Sequence, residues 1–316
     1  MKKGIIIALI VGCLLMIVGI CVSKFNFNEI FNSINEANMI NYEKKEYIPK
    51  SNDISTIYIN TSNEDVIILP SDEETIKITY YEEDKKTYTI DDGNGTLSMT
   101  VNQTYHFLNF NFGFTPIDTG IKIYVPKDLI VVYDINTSNS KIEINSLEAK
   151  DIKFDTSNGK ISLDKIISDT INLKTSNSKI DLNEVKANVI NGNTNNGKLD
   201  LNNINCLKLD FKTSNSNAYI KNVKSPDKLW IKTSNGDIHY TNSLSDDINL
   251  KTSNSNVTVN IGFSISDYNK DFKTSNDSIK LNNYRLDKHF IEKKDSNLKF
   301  NIKTSNGTIK INSKED

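Results

Sequence analysis

The chain has 316 residues, of which 25% are charged, and its net charge at neutral pH is −2. Proteins that bind nucleic acids need a basic surface to neutralise phosphates, so this balance argues against a nucleic-acid partner. The three cysteines are Cys13, Cys21 and Cys206, and the first two lie within an apolar N-terminal segment. This arrangement excludes an intrachain disulfide framework and a cysteine-based metal site.

The N-terminus predicts a membrane anchor. Residues 1–3 carry two lysines, residues 4–23 contain no charged side chain, and acidic residues follow this segment. A stretch of this length spans a bilayer as one helix, and the positive-inside tendency places the N-terminus in the cytoplasm. We therefore expect a cytoplasmic tip (1–3), a transmembrane signal anchor in the cell membrane (4–23), a stalk (24–50) and an extracellular domain (51–316).

Two other interpretations of the N-terminal segment stay open. A cleaved signal peptide is one, although no small-x-small cleavage motif follows the apolar run. The residues Ile-Val-Gly-Cys at 10–13 resemble a lipoprotein processing box, but this box would leave ten apolar residues after the cysteine.

The extracellular region contains a repeated triplet, Thr-Ser-Asn, which recurs every 19 residues and once after 20 in its regular part. The variant Thr194-Asn195-Asn196 fills one gap in the series. A period of this length is typical of one coil of a stacked solenoid. The triplets begin at Thr61, Thr137, Thr156, Thr175, Thr213, Thr233, Thr252, Thr274 and Thr304.

Apolar residues alternate with polar ones on both sides of each triplet, which predicts strands with one buried face. A further apolar residue ten positions after the threonine indicates a short third strand. Residues at the same offset should form inward stacks, because equal register in a solenoid means vertical alignment. One stack is Ile152, Ile171, Ile190, Leu209, Leu229 and Ile248, and the other is Phe154, Leu173, Phe211, Ile231 and Leu250.

The triplet itself predicts a corner of the coil. Ser and Gly alternate after the asparagine, which indicates either a two-coil duplication or drift, and both dipeptides suit a turn with positive φ. Stacked Thr and Asn side chains can hydrogen-bond along the stack as polar ladders. We interpret the triplet as architecture, because a catalytic serine would need one Ser singled out beside a His.

The extracellular domain divides into two parts. Residues 51–136 are expected to form irregular N-terminal coils, since four periods separate Thr61 from Thr137 and strand-like runs fill this interval. Residues 137–316 hold the regular repeats. Spacings of 22 and 30 before Thr274 and Thr304 indicate insertions in the last coils.

Catalytic chemistry has few candidates. The histidines lie far apart in the repeat register, so a shared metal ion or an acid–base pair is not expected. A carboxylate cluster of the kind used by polysaccharide-cleaving solenoids can be assembled, but its members sit at differing offsets, which favours a solvated face. We therefore expect no enzyme activity, no metal and no cofactor. The residues considered are His106, His239 and His289, and Asp164, Asp181 and Asp200.

A row of lysines directly precedes the corner threonine in several coils. Stacked at coil spacing, these charges repel one another and attract an anionic polymer such as a wall teichoic acid, or lipid head groups. Nearby Asp210, Asp237 and Asp271 could instead neutralise the row internally. The row consists of Lys174, Lys212, Lys232, Lys251, Lys273 and Lys303.

The segment 103–120 departs from the repeat and is rich in aromatic residues. Such a segment either covers an open end of the solenoid or forms an exposed contact surface, and the short stalk would keep it near the bilayer. Trp230 points outward, and it is either covered by a loop or available to a ligand. The candidate contact residues of the segment are Tyr105, Phe107, Phe110, Phe112 and Phe114.

Two sequence features carry a family resemblance: Ile-Lys-Ile-Tyr-Val-Pro at 121–126, and repeat units such as Phe-Asp-Thr-Ser-Asn-Gly-Lys-Ile at 154–161. With these features, residues 50–316 resemble the bacterial putative-adhesin family, a domain-of-unknown-function family of membrane-anchored β-strand-repeat proteins. The resemblance implies a right-handed single-stranded β-helix in the cell envelope, with a role in adhesion or in envelope-stress systems. It supplies no catalytic residues, and the Asn-Ser corners depart from the commoner Asn-Gly form of the family.

These observations predict an all-β chain: one N-terminal transmembrane helix followed by a β-solenoid of 19-residue coils. The expected function is that of an extracellular, non-catalytic binding or structural module. Its partner would be an anionic wall polymer, a lipid surface or another envelope protein. The alternatives are an accessory sensor of envelope stress and a carbohydrate-active enzyme on the same fold.

Overall fold

The computed structural model describes residues 42–51, 53–83, 85–103 and 119–314. Within these ranges the regular structure consists of 23 β-strands, and no helix is long and apolar enough to cross a membrane. The predicted anchor (4–23) and the aromatic segment from Tyr105 to Phe114 lie outside the described residues, as does the stalk up to residue 41.

The N-terminal strands combine parallel and antiparallel pairings. They are β1 (Glu43–Tyr47), β2 (Thr56–Asn60), β3 (Val66–Ser71), β4 (Lys77–Glu82), β5 (Lys86–Asp91), β6 (Thr96–Gln103), β7 (Ile121–Pro126) and β8 (Val131–Thr137).

The regular repeats follow, first as long strands that run through all three sides of a coil and then as shorter ones. They are β9 (Ile142–Thr156), β10 (Ile161–Lys174), β11 (Ile180–Asn193), β12 (Leu199–Lys212), β13 (Ala218–Lys224), β14 (Lys228–Lys232), β15 (Ile238–Thr241), β16 (Asp247–Lys251) and β17 (Val257–Asn260). The C-terminal strands are β18 (Asn269–Lys273), β19 (Ile279–Leu281), β20 (Tyr284–Leu286), β21 (His289–Glu292), β22 (Lys299–Lys303) and β23 (Ile309–Asn312).

Successive coils pair in parallel with a shift of 19 residues, as the repeat predicts. Ile161 lies between Ile142 and Ile180, and the short stretch Ile166–Ser168 pairs in the same register, which confirms the third strand. The two predicted inward stacks are also confirmed, since their members are adjacent in register and at most 3% exposed. Gly192 occupies the one gap in the second stack, because a Cβ there would lie 1.9 Å from the ring of Phe211.

The prediction of positive φ at the Thr-Ser-Asn corner is wrong. The left-handed residues lie nine positions after the threonine, where the chain turns into the short third side: Ser146, Lys165, Glu184, Asn203, Asn222 and Asn242. Glycine follows the asparagine for another reason. A Cβ at Gly159 would lie 1.7 Å from the carbonyl oxygen of Ser140, so the two corners pack too closely for a side chain.

The corner forms a polar ladder in which the backbone N–H groups of Ser and Asn and the Asn side chain all donate to the preceding coil. In the coil of Thr175, the backbone N–H groups of Ser176 and Asn177 both donate to the carbonyl of Ser157 in the preceding coil. Asn177 Nδ2 donates to Asn158 Oδ1 at 2.6 Å, and the same side-chain bond repeats from Asn139 to the last coil. The predicted asparagine ladder is therefore confirmed.

The alternation of Ser and Gly marks two corner geometries. In each glycine coil the glycine N–H donates to the threonine hydroxyl of its own corner, as Gly159 does to Thr156 Oγ1 at 3.1 Å. The glycines at 159, 197, 236 and 307 all pack on the serine carbonyl of the preceding coil, so a glycine corner always follows a serine corner. The repeating unit of the corner is two coils, which is a packing requirement rather than drift.

The coil order at both ends differs from the chain order. Strands β2 and β3 lie between β6 and β7 on one side and β8 and β9 on the other. At the opposite end, β22 and β23 lie between β16 and β17 on one side and β18 and β19 on the other. Antiparallel strands then cover the outer edges: β1, β4 and β5 at one end, and β20 and β21 at the other.

Charged side chains terminate the corner ladder. In the first corner of the stack, Glu64 replaces the small residue, and its carboxylate accepts from Thr61 Oγ1 and from the N–H groups of Ser62 and Asn63. Lys86 pairs with this buried carboxylate at 2.9 Å. In the last corner, Lys288 Nζ donates to the carbonyl of Ser275 at 3.3 Å. Glu64 therefore satisfies donors of the first Thr-Ser-Asn corner, and Lys288 an acceptor of the last one.

Candidate binding face

One outward face of the solenoid is formed by the positions one, three and five residues before the corner threonine. These side chains point away from the core because they alternate with the two inward stacks along the same strand. Parallel pairing without register shift then places side chains of equal offset one above another, about 4.8 Å apart. We call the C-terminal half of this surface, from β12 to the last coils, the basic face.

Five lysines form an uninterrupted row on the basic face. Lys212 lies beside Lys232, Lys232 beside Lys251, and Lys251 beside Lys303, which in turn lies beside Lys273. All five are exposed. Lys303 enters the row between Lys251 and Lys273 because the C-terminal coil is inserted there, an order that the sequence did not reveal.

Lys174 does not belong to this uninterrupted row. Asn193 separates it from Lys212, and its Nζ lies 2.9 Å from Asp155 Oδ2 in the adjacent coil. A depression of about 560 Å³ lies where the row is interrupted, bordered by Lys174, Lys212 and Asp210. The row therefore starts at Lys212, and Lys174 lies in a locally neutral part of the same face.

The predicted internal neutralisation of the row is only partial. Asp210 pairs with Lys228 at 2.7 Å, outside the row, and Asp237 lies on a different side of the coil, where it accepts the N–H of Asn256. Asp271 pairs with Lys303 at 2.9 Å and with His289 at 3.1 Å. Burial raises the pKa of Asp271, but hydrogen bonds from Lys303 and His289 outweigh it and hold that pKa below its usual value.

The basic face consequently keeps an excess of positive charge. In the part of the chain that the structure describes, Lys212, Lys232, Lys251 and Lys273 make no ion pair, whereas all three aspartates of the face contact a cation or a ring N–H. In these five coils the basic face contains eight lysines and three aspartates. They are Lys208, Lys212, Lys228, Lys232, Lys251, Lys273, Lys299 and Lys303, with Asp210, Asp247 and Asp271.

Trp230 lies in the middle of this face and is 39% exposed. Its Nε1 donates to Asp247 Oδ2 at 3.3 Å, and Lys228 Nζ lies 4.0 Å from the ring centroid. The cation–π contact and the indole hydrogen bond hold the ring in a defined orientation. Trp230 therefore adds a fixed aromatic surface beside the lysine row.

A second outward face, after the corner, has the same residue types in a neutral arrangement. Lys179 lies 3.0 Å from Asp181 and 3.1 Å from Asp200, while Lys160 and Lys198 contact the same two carboxylates. Burial raises the pKa of Asp181, but the hydrogen bonds from Lys160 and Lys179 lower it further than burial raises it. The carboxylates at 181 and 200, candidates for hydrolytic chemistry, are thus engaged in a structural ion-pair ladder.

The remaining candidate groups are dispersed. His239 stacks on Tyr219 with ring centroids 4.7 Å apart, His289 contacts Asp271, and His106 lies outside the described residues. Among the residues that the structure describes, no three His, Cys, Asp or Glu side chains are grouped so as to hold a metal ion. Burial raises the pKa of the Cys206 thiol to about 11, which keeps it protonated and unreactive.

Three of the solved structures that are similar to this chain have low sequence identity to it. A putative cell adhesion protein from Clostridium sporogenes is 11% identical over 87% of this chain and 100% of its own, with a TM-score of 0.32. A putative adhesin from Bacteroides fragilis is 11% identical over 87% and 97%, with a TM-score of 0.43. A putative adhesin from Parabacteroides merdae is 14% identical over 68% and 93%, with a TM-score of 0.40.

The comparison with curated proteins gives no significant match. The sequence model of one family, described as Toastrack DUF4097, matches residues 54–316. This range begins just before β2 and includes every parallel coil of the solenoid. Because the match extends over far more than half of the sequence, the chain belongs to the Toastrack DUF4097 family.

Proposed function

We propose that this protein is a membrane-anchored, non-catalytic binding module of the bacterial cell envelope, and that its basic face binds a linear polyanion. The observation that carries the proposal is the row from Lys212 to Lys273, five stacked lysines that share a single carboxylate partner among the described residues. The solenoid is right-handed, faces the outside of the cell and is held there by a helix over residues 4–23. The charge pattern around that segment supports this orientation.

The contrast with the second outward face supports a role in binding. Lysines also stack there, yet Lys160, Lys179 and Lys198 each contact Asp181 or Asp200, so their mutual repulsion is offset. The basic face leaves the same repulsion uncompensated. An external anion would relieve it, since like charges about 4.8 Å apart lie well within the screening length of physiological salt.

The shape of the row favours a linear partner. Five lysines at strand spacing extend for about 19 Å along the solenoid axis, whereas the face is only one strand segment wide. A phosphodiester polymer laid along the axis could contact every ammonium group, and Trp230 could pack against its apolar backbone. We commit to the polymer as the partner.

Binding to poly(glycerol phosphate) tests the proposal, with the full chain in a neutral detergent. Replacing Lys212, Lys232 and Lys251 by Ser should weaken binding by at least about tenfold, or about 1.4 kcal/mol, and reduce its salt dependence. The matched control replaces Lys160, Lys179 and Lys198 by Ser, which changes the net charge equally on the other face. Equal loss in both variants would show that only net charge matters and would contradict a specific site.

Anionic phospholipid vesicles provide a second arm of the same experiment. If the lysine variant loses vesicle binding but keeps polymer binding, the partner is a membrane surface and the polymer proposal is wrong.

The aromatic segment from Tyr105 to Phe114 stays a prediction as a separate contact. Replacing Phe107, Phe110 and Phe112 by Ser should weaken envelope association without loss of stability, and the opposite result would identify the segment as a cap.

A further inference from the structure

The sequence contains six Asn-Gly dipeptides, which begin at Asn94, Asn158, Asn191, Asn196, Asn235 and Asn306. Asn-Gly is the dipeptide most prone to spontaneous deamidation, because glycine does not hinder attack of its own backbone nitrogen on the preceding side chain. The reaction requires a free glycine nitrogen and an asparagine side chain that can rotate toward it. The structure provides these two conditions very unequally among the six sites.

At the four corner sites, hydrogen bonds restrain both the glycine nitrogen and the asparagine side chain that would react. Each glycine N–H donates to the corner threonine hydroxyl, at 3.0–3.2 Å, and each glycine is buried. Each asparagine side chain also donates to the preceding coil and accepts from the following one. For Asn158 these bonds join Asn139 and Asn177, at 2.7 and 2.6 Å. Rotation of the side chain would break both bonds of the ladder.

Asn191 is held by a different contact. It lies within strand β11, so Gly192 and Asn191 are paired in register with the coils on both sides. Its Nδ2 donates to Asn172 Oδ1 at 3.0 Å. An extended backbone fixed in a sheet keeps the glycine nitrogen away from the asparagine carbonyl carbon, so this site is also protected.

Asn94 lacks these restraints. It lies in the loop between β5 and β6, is exposed, and has glycine on both sides, with φ of 53° at Asn94 and 73° at Gly95. The loop is closed by one backbone bond, from Thr96 N–H to the carbonyl of Gly93. Within the described part of the chain, neither the Asn94 side chain nor the Gly95 N–H makes a hydrogen bond, unlike the corner residues.

We propose that Asn94 is a spontaneous modification site, converted to aspartate and isoaspartate while the five other Asn-Gly sites are protected by the fold. The deprotonated Gly95 nitrogen attacks Asn94 Cγ, a new N–C bond forms, and the Cγ–Nδ2 bond breaks to release ammonia. The lost amide proton passes to solvent. Water then opens the five-membered imide at either carbonyl, giving aspartate or isoaspartate with one negative charge.

The position of Asn94 gives the modification a structural consequence. Gly95 accepts the backbone N–H groups of Ser55 and Thr56, at 2.8 and 3.1 Å, so the loop is bonded to the start of β2. Isoaspartate lengthens the backbone by one methylene group in this loop. The new carboxylate also lies near Asp91 and Asp92 in sequence, where it adds to a local negative charge. Ageing at Asn94 would therefore loosen the N-terminal end of the solenoid first.

Peptide mapping by mass spectrometry tests the proposal on the full chain, incubated at mildly alkaline pH and sampled over time. We expect Asn94 to be converted at least about tenfold faster than any of the other five sites, a difference of about 1.4 kcal/mol in barrier. In denaturant the six sites should react at similar rates, because the protection comes from the fold. Equal rates in the folded chain, or an unmodified Asn94, would overturn the proposal.

A pair of variants tests the protecting hydrogen bond. Thr156→Val removes the hydroxyl that holds the Gly159 N–H, whereas Thr156→Ser keeps it. Conversion at Asn158 should rise in the valine variant only. The corners at Asn196 and Asn235 in the same molecule report whether the fold is intact. If Asn158 is no faster in the valine variant while those corners stay protected, the hydroxyl does not protect the site.

Discussion

The middle coils and the end coils satisfy the same corner hydrogen bonds by different means. In the middle, the N–H groups of Ser176 and Asn177 find the carbonyl of the coil before them. At the first Thr-Ser-Asn corner, the carboxylate of Glu64 accepts the corresponding donors. At the last corner the ammonium group of Lys288 meets a free carbonyl. The difference shows that the stack of corners has a direction.

This direction resembles that of an α-helix. Aligned hydrogen bonds leave unsatisfied N–H groups at one end and unsatisfied C=O groups at the other, so an acid suits the first end and a base the second. The solenoid places Glu64 and Lys288 accordingly. A repeated fold thus needs exceptions to its own repeat at the two places where the repetition stops.

The largest expected effect comes from breaking a middle coil at its core. Leu173→Asp places a carboxylate in a dry stack and should cost about 4 kcal/mol or more of unfolding free energy. Lys174→Gln, next to it but exposed, should change stability by less than about 1 kcal/mol, since it removes only the surface pair with Asp155. Chemical denaturation measures both, and similar losses would show that the inward and outward faces are misassigned.

Removing the carboxylate of Glu64, which caps the first corner of the ladder, should have a smaller but still large effect on stability. Glu64→Gln removes the buried charge that pairs with Lys86 and accepts from Thr61, so we expect a loss of about 3 kcal/mol. The exposed pair of Lys150 and Asp169 offers a control, because Asp169→Asn should cost less than about 1 kcal/mol. If both variants lose equally little, Glu64 does not cap the ladder.

The same cap predicts a dependence of stability on pH. Burial raises the pKa of Glu64, but the hydrogen bond from Thr61 and the charge of Lys86 outweigh it, so the pKa lies below the usual glutamate value. A depressed pKa in the folded state stabilises the protein above the unfolded pKa, and this contribution is lost as the pH falls through the folded pKa. Thermal denaturation across acidic pH should show a steeper loss in the wild type than in Glu64→Gln.

The glycine and serine corners of the middle coils should differ in their tolerance of a side chain. Gly159→Ala forces a Cβ against the carbonyl of Ser140 and should cost about 2 kcal/mol. Ser178→Ala, at the equivalent position one coil later, should cost less than about 0.5 kcal/mol because that corner already accommodates a side chain. Melting temperatures of the two variants decide the point. Equal shifts would contradict the two-coil unit.

The smallest effect is expected at the last corner. Lys288→Ala removes an exposed hydrogen bond to the Ser275 carbonyl, so the loss should stay below about 1 kcal/mol. Hydrogen exchange is the better measurement, because fraying of β18 and β19 should increase while the middle coils stay unchanged. An unchanged exchange pattern would show that water serves this carbonyl equally well.

The sequence predicts the middle of the molecule better than its ends. The 19-residue period determines the register of Ile161 on Ile142, and the alternation determines which residues are buried. The end coils depend on contacts between distant segments. Nothing local indicates that Lys303 lies between Lys251 and Lys273, so five of the six predicted lysines belong to the row but their order could not be predicted. The positive φ at Ser146 was missed because serine gives no signal of a left-handed conformation.

The inserted end coils would have a mechanical consequence if the proposed N-terminal anchor tethers the chain. A pull on that end would first peel β1 from β4, its one described neighbour. It would then reach β2, which is bonded to β6 on one side and to β8 on the other. Detaching a strand that is hydrogen-bonded on both sides requires breaking two sets of backbone hydrogen bonds at the same time. The force would therefore be resisted at this layer, and the coils would not separate one by one.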